Sequence, residues 1–416
     1  MCSMKLTREE FQRSKKESEY NMFLAGIRSD ATKEKYVRTL RKVLCEFLDD
    51  FFKGDVEQRC AQIVKHGKDD PEWTQDLLIQ FSEKLKERTK LAKTDSNYLN
   101  PSSFSNYFKP IKKLFDMNNV AFSWKRIYTT FPENDNISDT RGWTRHEIHE
   151  MLKFASGAMD RAILLIASSS GIRSGGFELT WGDVNPIYRV GEELKTEITE
   201  SEEDSAQVAC AMIRIYKGSK ESYPAFITPE AYRAIMDYEK EWTKQVGRKP
   251  KPEDTLFKRE GMIPTKASTS SIKKRVERMV TKSGIRLPLK KGQRRYEVPI
   301  MNGFRRFWNK TCKESLSKDS PLSSLIKKEY MMGHRGLVAL DRNYFKTHML
   351  ELAEEYLNAI PELTISDEER IKAENRRLRR EKSEIQKKNE ELLSMKEDIE
   401  KLKQKGGISD KYKKND

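Results

Sequence analysis

The chain has 416 residues, of which 35% are charged, and a mean hydropathy of −0.81; it contains no run of about 18 apolar residues, which argues against a membrane-spanning protein. Its length suits two ordinary domains plus an appendage. Five widely spaced cysteines, Cys2, Cys45, Cys60, Cys210 and Cys312, offer neither a disulfide framework nor metal-ligand spacing, and no basic-then-apolar signal peptide opens the chain, so the expectation is a reduced, cytoplasmic protein.

Residues 31–52 carry a helical period, with Tyr36, Leu40, Val43, Leu44, Phe47, Leu48 and Phe51 on one face and Ser29 or Asp30 as N-cap. Amphipathic segments follow at about 75–89 (Leu77, Leu78, Phe81, Leu85) and 102–117 (Phe104, Phe108, Ile111, Leu114, Phe115), so residues 1–135 are expected to form a small all-helical domain. The polar stretch "FPENDNISDTRGWT", residues 131–144, has the composition of a linker. A second domain over 136–366 is expected to be mixed: mainly α, with a small antiparallel β-sheet. Its helices fall near 145–156, 159–170, 229–242, 269–283, 303–315 and 321–331. Its strands fall near 193–199 and 208–216, the second leading through "YKGSKESYPAF" into a partner.

From Asp367 to the end, residues 367–416, the chain is charged and nearly free of aromatics. Ile371, Leu378, Ile385, Leu392 and Ile399 recur every seven residues, as in a coiled-coil seam. The companion seam position is polar at Glu374, Glu381 and Lys388, which leaves a single solvated helix and a pairing helix both open.

The net charge of +15 is concentrated. Between Lys273 and Lys310 stand thirteen lysines and arginines against two acids, Glu277 and Glu297, a net of +11 in one stretch. Such a concentration suits a polyanion, because neutralising phosphates releases condensed counterions. The chain has no GxxxxGK[ST], GxSxG, GxGxxG or HExxH, the usual marks of nucleotide, hydrolase, dinucleotide and zinc chemistry. Of five histidines, only His146 and His149 approach ligand spacing, and their acidic helix makes solvated side chains the plainer reading.

Candidate functional residues sit at chain reversals. Arg173, in "SSSGIRSGG", follows Gly171, which can end the preceding helix in a left-handed cap, and small neighbours would let a phosphate approach its planar donor fork. A structural pairing with Glu178 or Asp183 is the alternative. Lys217, in "IYKGSKES", stands at the tip of the expected hairpin as a phosphate contact or general acid, with Lys220 as rival. In "IMNGFRRFW", Asn302 and Arg305 are three apart and share a face at a helix start, itself an anion-binding position, whereas Arg306 would face solvent. In "YMMGHRGLVALDRNYFK", Gly333-His334 breaks the run and Tyr344 follows ten residues after the histidine; Tyr356 looks like a packing residue.

Taken in order, Arg173, Lys217, Asn302-x-x-Arg305, Gly333-His334 and Tyr344 resemble the tyrosine recombinase (phage-type integrase) family, of the kind found in archaeal genomes and mobile elements. That family has an arginine in a "TGLR"-like turn, a hairpin lysine, an HxxR box, an "LGH" box and a nucleophilic tyrosine. "SDATKEKYVRTLRKVLCEF" is similar to the opening of its helical core-binding domain, and "RGWTRHEIHEMLKFA" to the start of its catalytic domain; the likeness covers roughly residues 25–365. Two positions depart: Asn302 stands where the family has histidine, and Gly176 where it has an acid.

The resemblance implies a site-specific recombinase acting on double-stranded DNA without metal or nucleotide cofactor. Tyr344 would form a 3′-phosphotyrosine, Arg173 and Arg305 would stabilise the phosphorane, His334 would add a donor, and Lys217 would protonate the leaving oxygen. It further implies self-association, dimer to tetramer, on DNA and a nucleoid-associated location. A type IB topoisomerase-like nicking enzyme, a DNA-binding relative without catalysis, and a basic coiled-coil interaction protein remain open alternatives. Deleting residues 367–416 is expected to change the mass of the assembly, read by light scattering, more than the affinity for DNA; loss of DNA binding would favour the coiled-coil reading.

Overall fold

The computed structural model describes residues 8, 18–133, 140–289, 293, 295–315, 320–334 and 348–411. Two compact units divide the chain: Met1–Asp139 with Leu289–Arg295, and Thr140–Pro288 with Tyr296–Asp416. Each has its own apolar core, and the described part is mainly helical with one small antiparallel sheet.

The first unit is helical: α1 (Glu19–Ala25), α2 (Asp30–Lys42), α3 (Val56–Asp69), α4 (Pro71–Glu87), α5 (Ser105–Met117) and α6 (Trp124–Tyr128). Leu77, Leu78, Phe81 and Leu85 of α4 are buried with Phe104, Phe108, Ile111, Leu114 and Phe115, as their period requires. One position differs. Residues Val43–Phe47 form a π-turn, in which the Leu48 N–H reaches the Val43 carbonyl at 3.0 Å, and the added residue rotates the face. Phe52 is therefore buried, and Phe51 stays half exposed against the edge of Trp73. Helix α3 starts on a capping box, Asp55 and Gln58, and buries Cys60, Ile63 and Val64. Its stripe is hard to see because Arg59 occupies a buried place, where it binds the Gly54 and Leu44 carbonyls and Asp49.

In the second unit come α7 (Arg145–Leu152), α8 (Ala158–Ser170), β1 (Val184–Val190), β2 (Glu193–Lys195), β3 (Gln207–Ile215), β4 (Tyr223–Ile227), α9 (Pro229–Val246), α10 (Thr269–Lys282), α11 (Ile300–Glu314), α12 (Pro321–Met331), α13 (Met349–Leu357), α14 (Ile360–Leu363) and α15 (Asp367–Lys411). The sheet is antiparallel in the order β2-β1-β3-β4, with Val184 opposite Ile213 and Met212 opposite Phe226. Pro186 hides β1 from a sequence reading, since proline removes a ladder donor. The strand tolerates it because β2 pairs only with Tyr188–Val190, so beside Pro186 that edge is open. Thr228 caps α9, its hydroxyl taking the Ala231 N–H at 3.3 Å ahead of Pro229.

Helix α8 is the buried axis of this unit, with nearly every residue from Met159 to Ser170 out of solvent. Tyr356 of α13 packs against it as a core residue, its hydroxyl donating to the Ser169 carbonyl at 2.7 Å. The last residues of the expected linker belong to the folded unit: Trp143 is buried and donates to the Ile300 carbonyl at 2.9 Å, and Arg141 joins Glu147 to Glu297. Helix α15 starts on ion pairs from Arg145 to Asp367 and from Arg233 to Glu369. Its seam residues Ile371, Leu378, Ile385, Leu392 and Ile399 are 49–59% exposed, so none of the described residues covers them.

The chain reverses at Gly171, φ +59°, where an added Cβ would lie 2.8 Å from Trp308 Cγ. Gly171→Ala should therefore cost more than the roughly 1 kcal/mol of a left-handed alanine. Gly247→Ala, at φ +82° with no atom within 4 Å, should carry that conformational cost alone. Urea midpoints of the two variants compare them; equal shifts would contradict the packing argument.

Candidate DNA-cleavage site

Helix α8 ends at Gly171, the buried Ile172 turns inward, and Arg173 stands in extended backbone with its side chain exposed. Gly175 and Gly176 keep the turn low. A Cβ on Gly176 would meet Ile215 Cγ2 at 3.2 Å and Ile172 Cβ at 3.3 Å, so a side chain at this buried position would crowd both isoleucines. Glu178 does not substitute for one, because its carboxylate takes Lys266 at 2.8 Å and Thr269 Oγ1 at 3.5 Å. Asp183 is likewise engaged, accepting from the Thr180 backbone N–H at 2.8 Å and its hydroxyl at 2.9 Å. Both carboxylates proposed as structural partners of Arg173 thus bind elsewhere.

Asn302 and Arg305 lie in the first turns of α11, on one side, as their spacing requires. Arg305 is 7% exposed. Two of its five N–H donors go to backbone carbonyls, Gly171 at 2.8 Å and Met332 at 2.8 Å. Burial depresses its pKa, the nearby Arg173 charge adds to the depression, and the Tyr223 and Tyr216 phenols oppose it. No carboxylate is among these main influences. Arginine remains charged nonetheless, so this is a buried cation beside a second cation, an arrangement that a bound anion would relieve. Arg306, expected at the solvent, is instead half buried with its guanidinium on the Thr140 carbonyl.

An open cleft of about 540 Å³ collects Arg173, Asn302 and Arg305 with the exposed Lys273 of α10 and the N-terminus of α11. Nothing in the sequence sets Lys273 apart from the twelve other basic residues of its stretch. Near Arg305 lies Tyr223, buried, its pKa raised chiefly by burial, with the Arg305 charge opposing the rise. The Tyr223 ring also fits against Gly333, φ +65°, where an added Cβ would be 2.5 Å from Cε1. His334 follows directly, its Nδ1 on the Glu329 carboxylate. Arg305 reaches this turn through Met332, so one guanidinium joins the turn carrying Arg173 to the turn carrying His334.

Lys217 is at the tip between β3 and β4, at a reversal where Tyr216 has φ +52° and Gly218 φ +79°. It does not line the arginine cleft. Its Nζ lies 3.4 Å from Asp183 Oδ1 and it borders a separate, acidic hollow of about 960 Å³ with Glu178 and Glu253. Tyr344 lies outside the described residues. Among the described residues no cluster of His, Cys, Asp or Glu could hold a metal ion, and no helix is long and apolar enough to cross a membrane.

No family model and no curated protein matches the sequence. Among solved structures the chain is similar to the XerH site-specific recombinase bound to its difH substrate, at 13% identity and a TM-score of 0.45 over 85% of this chain and 90% of that one. It is also similar to a lambda integrase tetramer bound to a Holliday junction, at 9% identity and 0.44 over 80% and 76%. A third likeness is to the Tn1549 transposon integrase in complex with transposon right end DNA, at 13% identity and 0.41 over 81% and 99%.

The two arginines should separate in a stability measurement. Arg173→Ala should leave the urea midpoint nearly unchanged, within about 0.5 kcal/mol. Arg305→Ala strands two carbonyls and should cost about 2–5 kcal/mol. Equal effects would contradict the bracing role.

Proposed function

We propose that the chain is a site-specific DNA recombinase or integrase that cuts and rejoins strands through a 3′-phosphotyrosine on Tyr344. The observation that carries this reading is the pair Arg173 and Arg305, set in one cleft with Asn302 and Lys273 and with no carboxylate among the described residues that line it. Such a pair suits a phosphodiester. Attack by the Tyr344 hydroxyl on phosphorus puts extra negative charge on the non-bridging oxygens, which fixed guanidiniums stabilise more than they do the ground state. The bond from phosphorus to the 5′-oxygen breaks, and Lys217 delivers a proton to that oxygen. The 5′-hydroxyl of a partner strand later attacks the phosphotyrosine and releases Tyr344, so bond energy is conserved in the ester.

Lys217 must leave Asp183 to do this. Its side chain is 60% exposed and free to swing, while the buried Asp183 keeps the Thr180 backbone and hydroxyl donors on its other oxygen. Asn302 contributes an amide donor to a phosphate oxygen and, unlike the histidine usual there, moves no proton. Residues 1–135 would hold the duplex as the core-binding domain and residues 136–366 would cut it. The seam of α15 would serve self-association, dimer to tetramer, on DNA in the cytoplasm.

The test is a duplex nicked beside the cleavage point, so that the released fragment diffuses away and traps the intermediate. The expected result is a covalent protein–DNA complex that Tyr344→Phe abolishes and Arg173→Ala slows about a hundredfold or more. Binding without any covalent complex would leave a DNA-binding relative that has lost catalysis. Relaxation of a plasmid without exchange between two sites would mark a topoisomerase-like enzyme.

A further inference from the structure

The Asn302 position removes one imidazole from the reacting centre, which leaves His334 as the histidine of the candidate set. Its surroundings are unusually well built. Lys328 of α12 is buried to 1% exposure, and its ammonium donates to Asn309 Oδ1 of α11 at 2.7 Å and lies 2.9 Å from Glu329 Oε1. The other carboxylate oxygen of Glu329 meets His334 Nδ1, and the Glu329 carbonyl accepts the His334 backbone N–H at 3.0 Å. Glu329 therefore holds the histidine at two points, backbone and ring. Burial would raise the Glu329 pKa, but the hydrogen bonds from Lys328 and His334 outweigh it and keep the carboxyl below its ordinary range. An ionised carboxylate can only accept, so the proton between the two belongs to Nδ1.

We infer that Glu329, anchored by Lys328 and Asn309, is a positioning residue that fixes the Nδ1–H tautomer of His334 and leaves Nε2 as the acceptor for the proton of the attacking tyrosine. The inference rests on the reading of this cleft as a strand-transfer site. It extends that reading to the chain of side chains that ties α11, which carries Asn302 and Arg305, to the turn that carries His334. A buried lysine is costly to desolvate and is retained where its charge is used. Here the used charge is the one that keeps Glu329 ionised.

The experiment is a long-range proton–nitrogen spectrum of the full chain with labelled histidines, five in number, run beside the covalent-complex assay on nicked duplex. In the wild type, the neutral His334 ring should carry its proton on Nδ1. Glu329→Ala should move the tautomer toward Nε2–H and slow covalent-complex formation about tenfold or more, with DNA affinity little changed. Glu329→Gln, a neutral acceptor of the same shape, should fall between. If Glu329→Ala keeps both tautomer and rate, the carboxylate is only a staple between helices and the proposal is overturned. Should both variants fail to fold, an Nε2–H tautomer in the wild-type spectrum overturns it equally. Absence of any covalent complex from the wild type would defeat the strand-transfer reading, while the tautomer would still decide the role of Glu329.

Discussion

One guanidinium organises the second unit of this protein. Arg305 is nearly out of solvent, and it spends two donors on carbonyls that lie 134 and 27 residues away in sequence, Gly171 and Met332. Each carbonyl belongs to a chain reversal at a left-handed glycine, and each reversal presents a polar side chain, Arg173 in one case and His334 in the other. Arg305 and the exposed Arg173 line one cleft. No carboxylate is among the described residues that line the cleft, and Glu178 and Asp183, close to Arg173 in sequence, are bound to Lys266 and to the Thr180 cap. An anion entering the cleft would find donors already oriented, which is the condition under which electrostatics favours a transition state rather than merely a bound ligand.

The same surroundings bear on the two positions, Gly176 and Asn302, at which the sequence departs from the pattern it resembles. Gly176 sits against Ile172 and Ile215, and an acid there would displace the core beneath the Arg173 turn. Tyr223, near Arg305 and against Gly333, instead supplies a phenol to the buried cation. Asn302 keeps a donor at the mouth of α11 while the histidine next to the second reversal is held by Glu329. Arg305 is thus supported by backbone carbonyls and flanked by a phenol, and His334 by the Lys328–Glu329 pair.

Long apolar stripes were legible in the sequence because burial enforces their period: Leu77 to Leu85, Phe104 to Phe115 and α10 to α12 lie where periodicity puts them. So was the left-handed cap at Gly171. Local irregularity was not. A π-turn at Val43–Phe47 exchanges Phe51 for Phe52, a proline disguises β1, and a buried arginine breaks the stripe of α3. Of the site, Arg173, Asn302 and Arg305 are traceable to turns and to a three-residue spacing. Lys273 and the pairing of Lys217 with Asp183 are not, since they depend on which loops the sheet and α10 bring together. Tyr344 remains a sequence assignment, resting on its place after Gly333-His334.

The most direct measurement is a structure of the Tyr344→Phe protein on a duplex carrying its cleavage site. The account predicts one backbone phosphate within hydrogen-bonding distance of both Arg173 and Arg305, with Arg305 still holding the Gly171 and Met332 carbonyls and Lys217 released from Asp183. A duplex bound on another face, with no phosphate in the arginine cleft, would contradict it.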